Sequence, residues 1–225
     1  MDLSIIIPAY NEMNNIEETI WAICNVLDEA KNLKSEIIVV DDASYDLTPL
    51  LIKSISRVNV ITNKTNKGKG YSVKRGITAS KGTYIAVFDA DMPYMPNCIL
   101  KSYSLTDKYD IIYGKRYARG SYPPLRYVAS KAFHLITKYY LGLGDADTQC
   151  GFKMFKKCLI ENPESIITLN RFSYDIQLAH HFKKCGANWF NMDVVVKKHS
   201  YSSVNIIKDG ARLMYDIWRI KNGLC

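Results

Sequence analysis

The sequence predicts an α/β fold in which a mostly parallel central sheet is flanked by helices. Short aliphatic segments alternate with helix-like segments over the first half of the chain, and three of the aliphatic segments end abruptly in polar residues. This alternation is typical of parallel sheets with right-handed helical crossovers. Because such sheets bind ligands beyond the carboxyl ends of their strands, the polar residues at those ends are candidates for a functional site.

Five strands are predicted in this first half. Apart from Ser4 and Glu36, the first two runs are aliphatic and lack the alternation of a half-exposed strand, as expected for parallel strands buried on both faces. The five runs cover residues 3–7, 36–40, 58–62, 83–88 and 110–113. The first, second and fourth are followed by polar clusters at residues 8–12, 41–42 and 89–91, so polar residues from three strands are expected along one edge of the sheet.

Helices are predicted between the strands from capping residues and apolar spacing. Asn14 or Asn15 can cap a helix that continues to about Lys31. One face of that helix carries Ile16, Ile20, Ile23 and Leu27. The other predicted helix starts are Asp46, residues 67–70 and Pro96.

The pattern changes after about Gly114. Residues 116–126 resemble a loop, 127–143 an aromatic helix, 171–185 a second helix and 189–196 a strand. Neither a linker nor an internal repeat is visible in the sequence. We therefore expect a single domain over residues 1–225, in which residues 1–113 and 114–225 form two halves of different pattern.

Composition and cysteine use narrow the class of protein. Hydrophobic residues make up 48% and charged residues 23%, which is typical of a globular chain and unlike a disordered one. The six cysteines form neither a CxxC pair nor a zinc spacing, which favours reduced thiols in a cytoplasmic protein. No signal sequence is recognised after Met1, and no apolar run reaches the ~20 residues of a membrane-spanning helix.

The charge is distributed unevenly along the chain. The net charge is +8, but the first 60 residues carry −6 and the remainder +14. A basic distal part suits a polyanionic partner such as a nucleotide, an anionic lipid surface or nucleic acid. A solvated basic surface is the alternative explanation.

The sequence Asp89-Ala90-Asp91 follows a predicted buried strand. Two carboxylates at this spacing can face one hard cation, Mg²⁺ or Mn²⁺, together with diphosphate oxygens. The metal would then neutralise charge on a departing nucleoside diphosphate. The alternative is that both acids are solvated residues of a loop. The position of the motif, directly after a buried strand and before Pro93, makes this alternative less favourable.

Four motifs, in order, resemble the family 2 glycosyltransferases of GT-A (Rossmann-like) fold. They are the opening at residues 4–12, the second-strand motif at 38–44, the Gly-Lys-Gly loop at 66–70 and the metal motif at 89–91. In the second half, residues 114–117 and 147–153 resemble the dolichyl-phosphate (polyprenyl-phosphate) mannosyl- and glucosyltransferases. Residues 172–178 resemble the Phe-x-x-Asp-x-Glu stretch of that group, with Gln177 where Glu is usual.

The resemblance implies that residues 1–113 are the nucleotide-sugar half and residues 114–225 the acceptor half. It also implies a role for each motif on the donor side. The residues that would hold the nucleotide sugar are Pro8, Tyr10, Glu12, Val40, Asp42, Lys69, Asp89, Ala90 and Asp91, with Asp89 and Asp91 also holding the metal. Tyr10 could instead be a packed aromatic residue, Asp42 a helix cap and Lys69 a solvated loop lysine. Pro93 stands where some relatives place a third metal ligand, and proline offers only its carbonyl.

On the acceptor side, the resemblance implies that Arg116, Arg126 and Ser130 bind a lipid phosphate. Arginine suits this role because its planar fork donates two hydrogen bonds to phosphate oxygens. Surface solubilisation is the alternative. Asp91, Arg116 and Asp175 are the predicted catalytic residues, although Asp175 could equally belong to a structural ion pair. Late basic residues at 197–199 are further candidates for phosphate contact.

The predicted reaction transfers mannose or glucose from GDP-mannose or UDP-glucose to a dolichyl or polyprenyl phosphate, with inversion of the anomeric centre. A phosphate monoester with a second pKa of about 6 is already anionic and needs little general-base help, so positioning and charge stabilisation should dominate. The protein would act peripherally at the cytosolic face of a membrane, with a membrane-anchoring subunit as one option. Residues 128–143 and 206–220 are candidate interfacial helices, and core packing is the alternative for each.

Three other functions compete with this prediction. A family 2 transferase that acts on a sugar hydroxyl would need a general base and would give Asp175 a larger role. A nucleotidyltransferase would be expected to carry a glycine-rich loop after its first strand, where residues 8–12 are not glycine-rich. A nucleic-acid binder would explain the basic charge but not the acidic strand ends, so no nucleic-acid partner is expected.

Overall fold

The computed structural model describes residues 1–117, 133, 135–145, 147–148, 150–171, 173–195 and 206–225. Within these ranges, seven strands form one sheet in the order β3-β2-β1-β4-β6-β5-β7. The strands are β1 (Leu3–Ala9), β2 (Ser35–Asp41), β3 (Val58–Thr62), β4 (Tyr84–Val87), β5 (Ile111–Tyr117), β6 (Lys153–Lys156) and β7 (Trp189–Val195). Every neighbouring pair is parallel except the two that involve β6. The predicted mostly parallel α/β architecture is therefore confirmed.

Helices cover both faces of this sheet. They are α1 (Ile16–Glu29), α2 (Thr48–Ser54), α3 (Lys69–Ala79), α4 (Cys98–Tyr103), α5 (135–140), α6 (Pro163–Ile166), α7 (Tyr174–Lys184) and α8 (Ile206–Lys221). Alternate residues of a strand point to opposite faces, and β1 follows this rule. Its Leu3, Ile5 and Ile7 join the core under α1, α2 and α4, while Ile6 joins the core under α3 and α7.

Two predicted caps differ from the structure. Asn15 occupies the N-cap position of α1, but its amide donates to Glu12 Oε2 at 2.9 Å rather than capping the helix. Asp46 lies two residues before α2 and accepts a hydrogen bond from the Thr48 backbone N–H at 2.9 Å, so it stabilises the start of that helix. Its second oxygen accepts from the Met13 N–H at 3.2 Å and ties this helix start to the loop after β1.

The strand β6 was not predicted, and it decides where the second half of the chain meets the first. It runs antiparallel between β4 and β5, with Val87 opposite Lys153 and Ala86 opposite Met154. Because β6 is antiparallel to β4, its first residue lies beside the last residue of β4. The residues that precede β6, among them Gly151, are therefore brought against the carboxyl end of β4, where Asp89 lies.

Among the described helices, none combines the length and the apolar composition required to cross a membrane. The six cysteines are free thiols, of which Cys24, Cys98 and Cys150 are buried.

Candidate active site

The carboxyl ends of β1, β2 and β4 lie side by side because β1 is the middle strand of the three. The Asp42 N–H donates to the Ala9 carbonyl at 2.8 Å, and the Phe88 N–H donates to the Ile6 carbonyl at 3.0 Å. The polar residues after these strands therefore share one edge of the sheet, the arrangement that the sequence predicts for a ligand site.

Each of these three strand ends carries a strained backbone. Asn11, Ala43 and Met92 have φ angles of 55°, 61° and 43°, a region that non-glycine residues enter at an energetic cost. Hydrogen bonds between the first two loops hold the strain in place. The Asn11 N–H donates to Ser44 Oγ at 2.9 Å, and Asn11 Oδ1 accepts from the Tyr45 N–H at 3.0 Å. Such strain is commonly stored at functional sites, so its coincidence with all three motifs supports a site here.

Asp89 is held on both sides of its carboxylate. Lys69 Nζ lies 2.5 Å from Oδ1, and Tyr94 Oη donates to Oδ2 at 2.5 Å. Burial by itself would raise the pKa of Asp89, but the charge and hydrogen bonds of Lys69 and the hydrogen bond of Tyr94 outweigh it, so the pKa is lowered. Asp89 is consequently an anion near neutral pH, held by residues from α3 and from the loop before α4.

A third segment closes this arrangement from the β6 side. A Cβ atom on Gly151 would overlap both Asp89 Oδ2 and Tyr94 Oη. Only a glycine lets the chain pass this close to the acid. We call Lys69, Asp89, Tyr94 and Gly151 the Asp89 cluster.

The pKa of Glu12 is affected by burial and by the negative charges of Asp91 and Asp89. Burial is the main reason that its pKa is raised, and the negative charges of Asp91 and Asp89 raise it further. Carboxylate oxygens are the ligands that hard divalent cations prefer, and a cation would relieve this concentration of negative charge. Within the described ranges no group of three or more His, Cys, Asp or Glu side chains could hold a metal by itself. A metal bound beside these acids would therefore need oxygens from water or diphosphate to complete its coordination.

Asp42 is engaged with the loop that precedes α3. Its carboxylate accepts from Asn63 Nδ2 at 2.6 Å, from the Lys67 N–H at 2.9 Å and from the Gly68 N–H at 2.7 Å, and the side chain is buried. These bonds fix the position from which Lys69 reaches Asp89. The contact of Asp42 with a nucleobase stays a prediction. The neighbouring Asp41 Oδ2 is buried without a hydrogen-bond partner in the described part of the chain.

Asp175 forms an ion pair with Lys153 in the interior. The side chains are 5% and 1% exposed, and Lys153 Nζ also lies 5.4 Å from the ring centre of Tyr174. This arrangement favours the structural ion pair over a direct contact with the sugar. The pair still belongs to the site electrostatically, because the charge of Asp175 acts on Lys69 and that of Lys153 on Asp89.

The remaining donor-side candidates occupy different environments. Tyr10 is 42% exposed and makes an edge-to-face contact with Tyr45 at 6.2 Å between ring centres, so it is available to a ligand. Pro8 is half-buried at the end of β1. Val40 is fully buried in the core under α3, and the Ala90 carbonyl accepts from Thr19 Oγ1 at 2.7 Å. The predicted roles of these residues toward a nucleotide stay predictions.

The acceptor-side candidates lie largely outside the described residues. This applies to Arg126, Ser130 and residues 197–199, and to the side chain of Arg116. The Arg116 backbone belongs to β5, opposite Val194 of β7.

Sequence reasoning did not assign a role to Tyr94, Gly151 or Lys153. Gly151 and Lys153 belong to the second-half motif at residues 147–153, so the motif marks them as candidates but does not indicate which residues they contact. Nothing in the local sequence distinguishes Tyr94, because its role depends on reaching Asp89.

Curated proteins resemble the chain at low to moderate identity. It is 29% identical to the dolichyl-phosphate beta-glucosyltransferase of Dictyostelium discoideum, over 98% of this chain and 77% of that protein. It is 34% identical to the dolichol-phosphate mannosyltransferase of Pyrococcus furiosus, over 73% of this chain and 49% of that protein. The chain therefore spans about half the length of the second relative and about three quarters of the first.

Solved structures share the fold. Glucosyl-3-phosphoglycerate synthase from Mycobacterium tuberculosis, in complex with phosphoglyceric acid, matches with a TM-score of 0.78 and 19% identity, over 98% of this chain and 80% of that one. Residues 4–163, which contain β2 to β6, all of β1 but its first residue, and the whole Asp89 cluster, match the family described as Glycosyl transferase family 2. The chain belongs to this family and is a glycosyltransferase.

Proposed function

We propose that this enzyme transfers a hexose from a nucleoside diphosphate sugar to a dolichyl or polyprenyl phosphate, with a divalent metal and with inversion. The observation that carries the proposal is the Asp89 cluster, in which three separate segments hold one ionised carboxylate beside Asp91. The names of the Dictyostelium and Pyrococcus relatives support the lipid phosphate as acceptor and glucose or mannose as the sugar.

The metal is Mg²⁺ or Mn²⁺, held by Asp89 and Asp91. When bound, it supplies Lewis-acid stabilisation of the departing diphosphate. A structure of the Mycobacterium synthase contains Mn²⁺ and UDP, which supports a divalent metal in this fold. Pro8, Tyr10, Glu12, Val40, Asp42 and Ala90 are proposed to surround the nucleotide.

The other side chains of the site are proposed to position the two phosphate-bearing substrates, the nucleotide sugar and the lipid phosphate. Lys69 carries positive charge to the donor side, while Arg116, Arg126 and Ser130 are proposed to hold the acceptor phosphate. That phosphate is the nucleophile. Because it is already anionic near neutral pH, orientation and charge neutralisation can supply most of the rate enhancement.

The ion pair of Asp175 argues against the sugar-hydroxyl alternative. A general base must reach the proton it removes, and its pKa must suit the working pH. A carboxylate that is 5% exposed and bound to a buried ammonium is poorly placed for this task. Asp175 is therefore proposed to act through Lys153 on the field around Asp89.

The direct test measures transfer of radiolabelled hexose from UDP-glucose and GDP-mannose to polyprenyl phosphate, with Mg²⁺ or Mn²⁺. Asp91→Asn should reduce transfer by about 100-fold or more, since it weakens metal-assisted charge stabilisation. The control Asp28→Asn alters an exposed acid paired with Arg57 and should leave turnover unchanged. Transfer to 3-phosphoglycerate or to a sugar hydroxyl, without transfer to the lipid phosphate, would overturn the proposal.

We also propose that the enzyme docks on the cytosolic surface of a membrane through α5 and α8. Ile217 and Ile220 of α8 are buried in the core, whereas Tyr215 and Trp218 on its other side are 60% and 48% exposed. Lys221 of α8 lies 5.5 Å from the Tyr140 ring centre, so the exposed residues of α5 and α8 are adjacent. Exposed aromatic residues next to lysine and arginine suit an anionic lipid surface.

Flotation with phosphatidylcholine vesicles, with and without phosphatidylglycerol, tests this surface. Trp218→Ser should weaken binding to anionic vesicles, whereas Trp21→Ser, which alters a tryptophan of 44% exposure on α1, should not. Equal binding by both variants would refute the assignment. Complete absence of vesicle binding by the unaltered protein would instead favour recruitment by a membrane subunit.

A further inference from the structure

The position of Lys69 is built into the fold. Lys69 is the first residue of α3, and the preceding Gly68 has φ +95° with its N–H bound to Asp42. A Cβ on Gly68 would lie 2.5 Å from the Asn170 carbonyl oxygen, so the backbone on this side cannot shift freely. The Lys69 side chain is 22% exposed and that of Asp89 23%. Their contact is therefore much more constrained than a surface ion pair.

The other side of the Asp89 carboxylate is already occupied. Tyr94 Oη donates to Oδ2, and Gly151 packs against the same oxygen. A divalent cation that uses Asp89 must therefore approach the oxygen that Lys69 already contacts. An ammonium group and a metal ion repel each other, so the contact of Lys69 with Asp89 Oδ1 disfavours metal binding at the same oxygen.

Moving Lys69 away is unfavourable in the free enzyme. Lys69 Nζ lies 2.5 Å from Asp89 Oδ1, and both side chains are largely shielded from water, so the ammonium would lose a close anionic partner without gaining full hydration. A nucleoside diphosphate changes this balance, because its phosphate oxygens offer the ammonium a second set of acceptors.

We propose that Lys69 is a resident counter-ion of Asp89, which yields to the divalent metal when a nucleoside diphosphate arrives to accept the ammonium. Metal binding then depends on the nucleotide, and the free enzyme holds Mn²⁺ weakly. This inference rests on the proposed function, since it takes the ligand to be a nucleoside diphosphate bound with a metal.

The test is a titration with Mn²⁺ followed by the electron paramagnetic resonance signal of the free ion, with no nucleotide, with UDP and with GDP. Without nucleotide, Lys69→Met should bind Mn²⁺ about five-fold or more tightly than the unaltered protein, because a nearby positive charge is gone. Lys64→Met removes an exposed lysine from the same connection and should stay within about two-fold, as expected for a screened charge. Lys69→Arg keeps the charge and should bind Mn²⁺ as weakly as the unaltered protein.

Coupling to the nucleotide gives the second measurement. At least one of UDP and GDP should tighten Mn²⁺ binding by the unaltered protein about ten-fold or more, and by Lys69→Met distinctly less. Equal Mn²⁺ affinity of the Lys69→Met and Lys64→Met variants without nucleotide would overturn the proposal, as would undiminished coupling in Lys69→Met. Circular dichroism establishes that each variant is folded. Since these readouts need no acceptor, a failure of hexose transfer to polyprenyl phosphate would leave this result interpretable.

Discussion

Adding one methyl group at Gly151 tests whether the approach of β6 to β4 positions the acid of the site. The new Cβ of Gly151→Ala would overlap Asp89 Oδ2, Asp89 Cγ and Tyr94 Oη. Tyr94 is 1% exposed and packs edge-to-face on Phe88 at 5.3 Å between ring centres, so its ring has little room to move. We therefore expect the Asp89 carboxylate to move and its hydrogen bond with Tyr94 to break.

The cost can be estimated from two contributions. Overpacking a well-filled interior costs about 1–3 kcal/mol. Losing a hydrogen bond to a charged group costs about 1.5–3 kcal/mol. These two costs are not additive, because a movement of Asp89 that relieves the overpacking also breaks the hydrogen bond. We therefore expect a loss of about 2–4 kcal/mol in the free energy of unfolding. A displacement of about 1 Å at Asp89, the proposed metal ligand, should also lower turnover by about 100-fold.

Urea unfolding and single-turnover transfer measure these two effects. Gly210→Ala is the matched control, because its Cβ would contact none of the residues that the structure describes and should stabilise α8 by about 0.5–1 kcal/mol. Tyr94→Phe removes one of the overlapping atoms. If the overlap is the cause, Gly151→Ala combined with Tyr94→Phe should lose less stability than the sum of the single changes. Turnover and stability at the level of the unaltered protein in Gly151→Ala would refute the reasoning.

Two further predictions concern buried charge. Lys153→Met should lower the free energy of unfolding by about 3–5 kcal/mol, because it leaves Asp175 buried without its cation, and the double change Lys153→Met, Asp175→Leu should recover most of this in urea unfolding. Burial, with the charges of Lys184, Lys183, Lys221 and His181, lowers the pKa of His180 to about 4. A histidine in the unfolded chain has a pKa near 6.5, so lowering the pH from about 7.5 to about 5 protonates His180 only in the unfolded chain. We expect this to remove about 1 kcal/mol of stability, a value halved because His180 is partly exposed. His180→Gln should lose correspondingly less over that window, and an unchanged pH dependence would contradict the assignment.

The parts of the fold that sequence predicted are those whose signal is local. The aliphatic runs of β1 and β2 are long enough to identify a buried strand by themselves, and α1 repeats its apolar residues at helical spacing. The four-residue strand β6 has no such signal. Its Lys153 and Lys156 are charged, and its direction is set by pairing with β4 and β5, which are distant in sequence. Strand formation of this kind depends on tertiary context rather than on intrinsic preference.

The same distinction applies to the site. Acids at the ends of β1, β2 and β4 could be placed on one edge from topology alone. The residues that contact Asp89 could not be predicted in this way. Lys69, Tyr94 and Gly151 reach it from three segments, and their approach depends on the packing of α3 and β6. Asp175 illustrates the consequence: its motif suggested a catalytic acid, and the partner that gives it another task lies 22 residues earlier, in an unpredicted strand.

Gln177 extends this reasoning to a position where the chain departs from the motif it resembles. Its Oε1 accepts from the Thr168 and Leu169 N–H groups at 3.0 and 3.1 Å, and its Nε2 donates to Thr168 Oγ1 at 2.8 Å. The side chain is 5% exposed, so a carboxylate there would introduce a buried charge, which is costly, and would lack the Nε2 donor. The amide therefore fits this site as a brace between α7 and the segment that contacts α3. With Asp175 bound to Lys153 and Gln177 bound to the backbone, neither acidic position of that motif is available for proton transfer. This supports the proposal that catalysis depends on the charges around Asp89 and on the acceptor arginines.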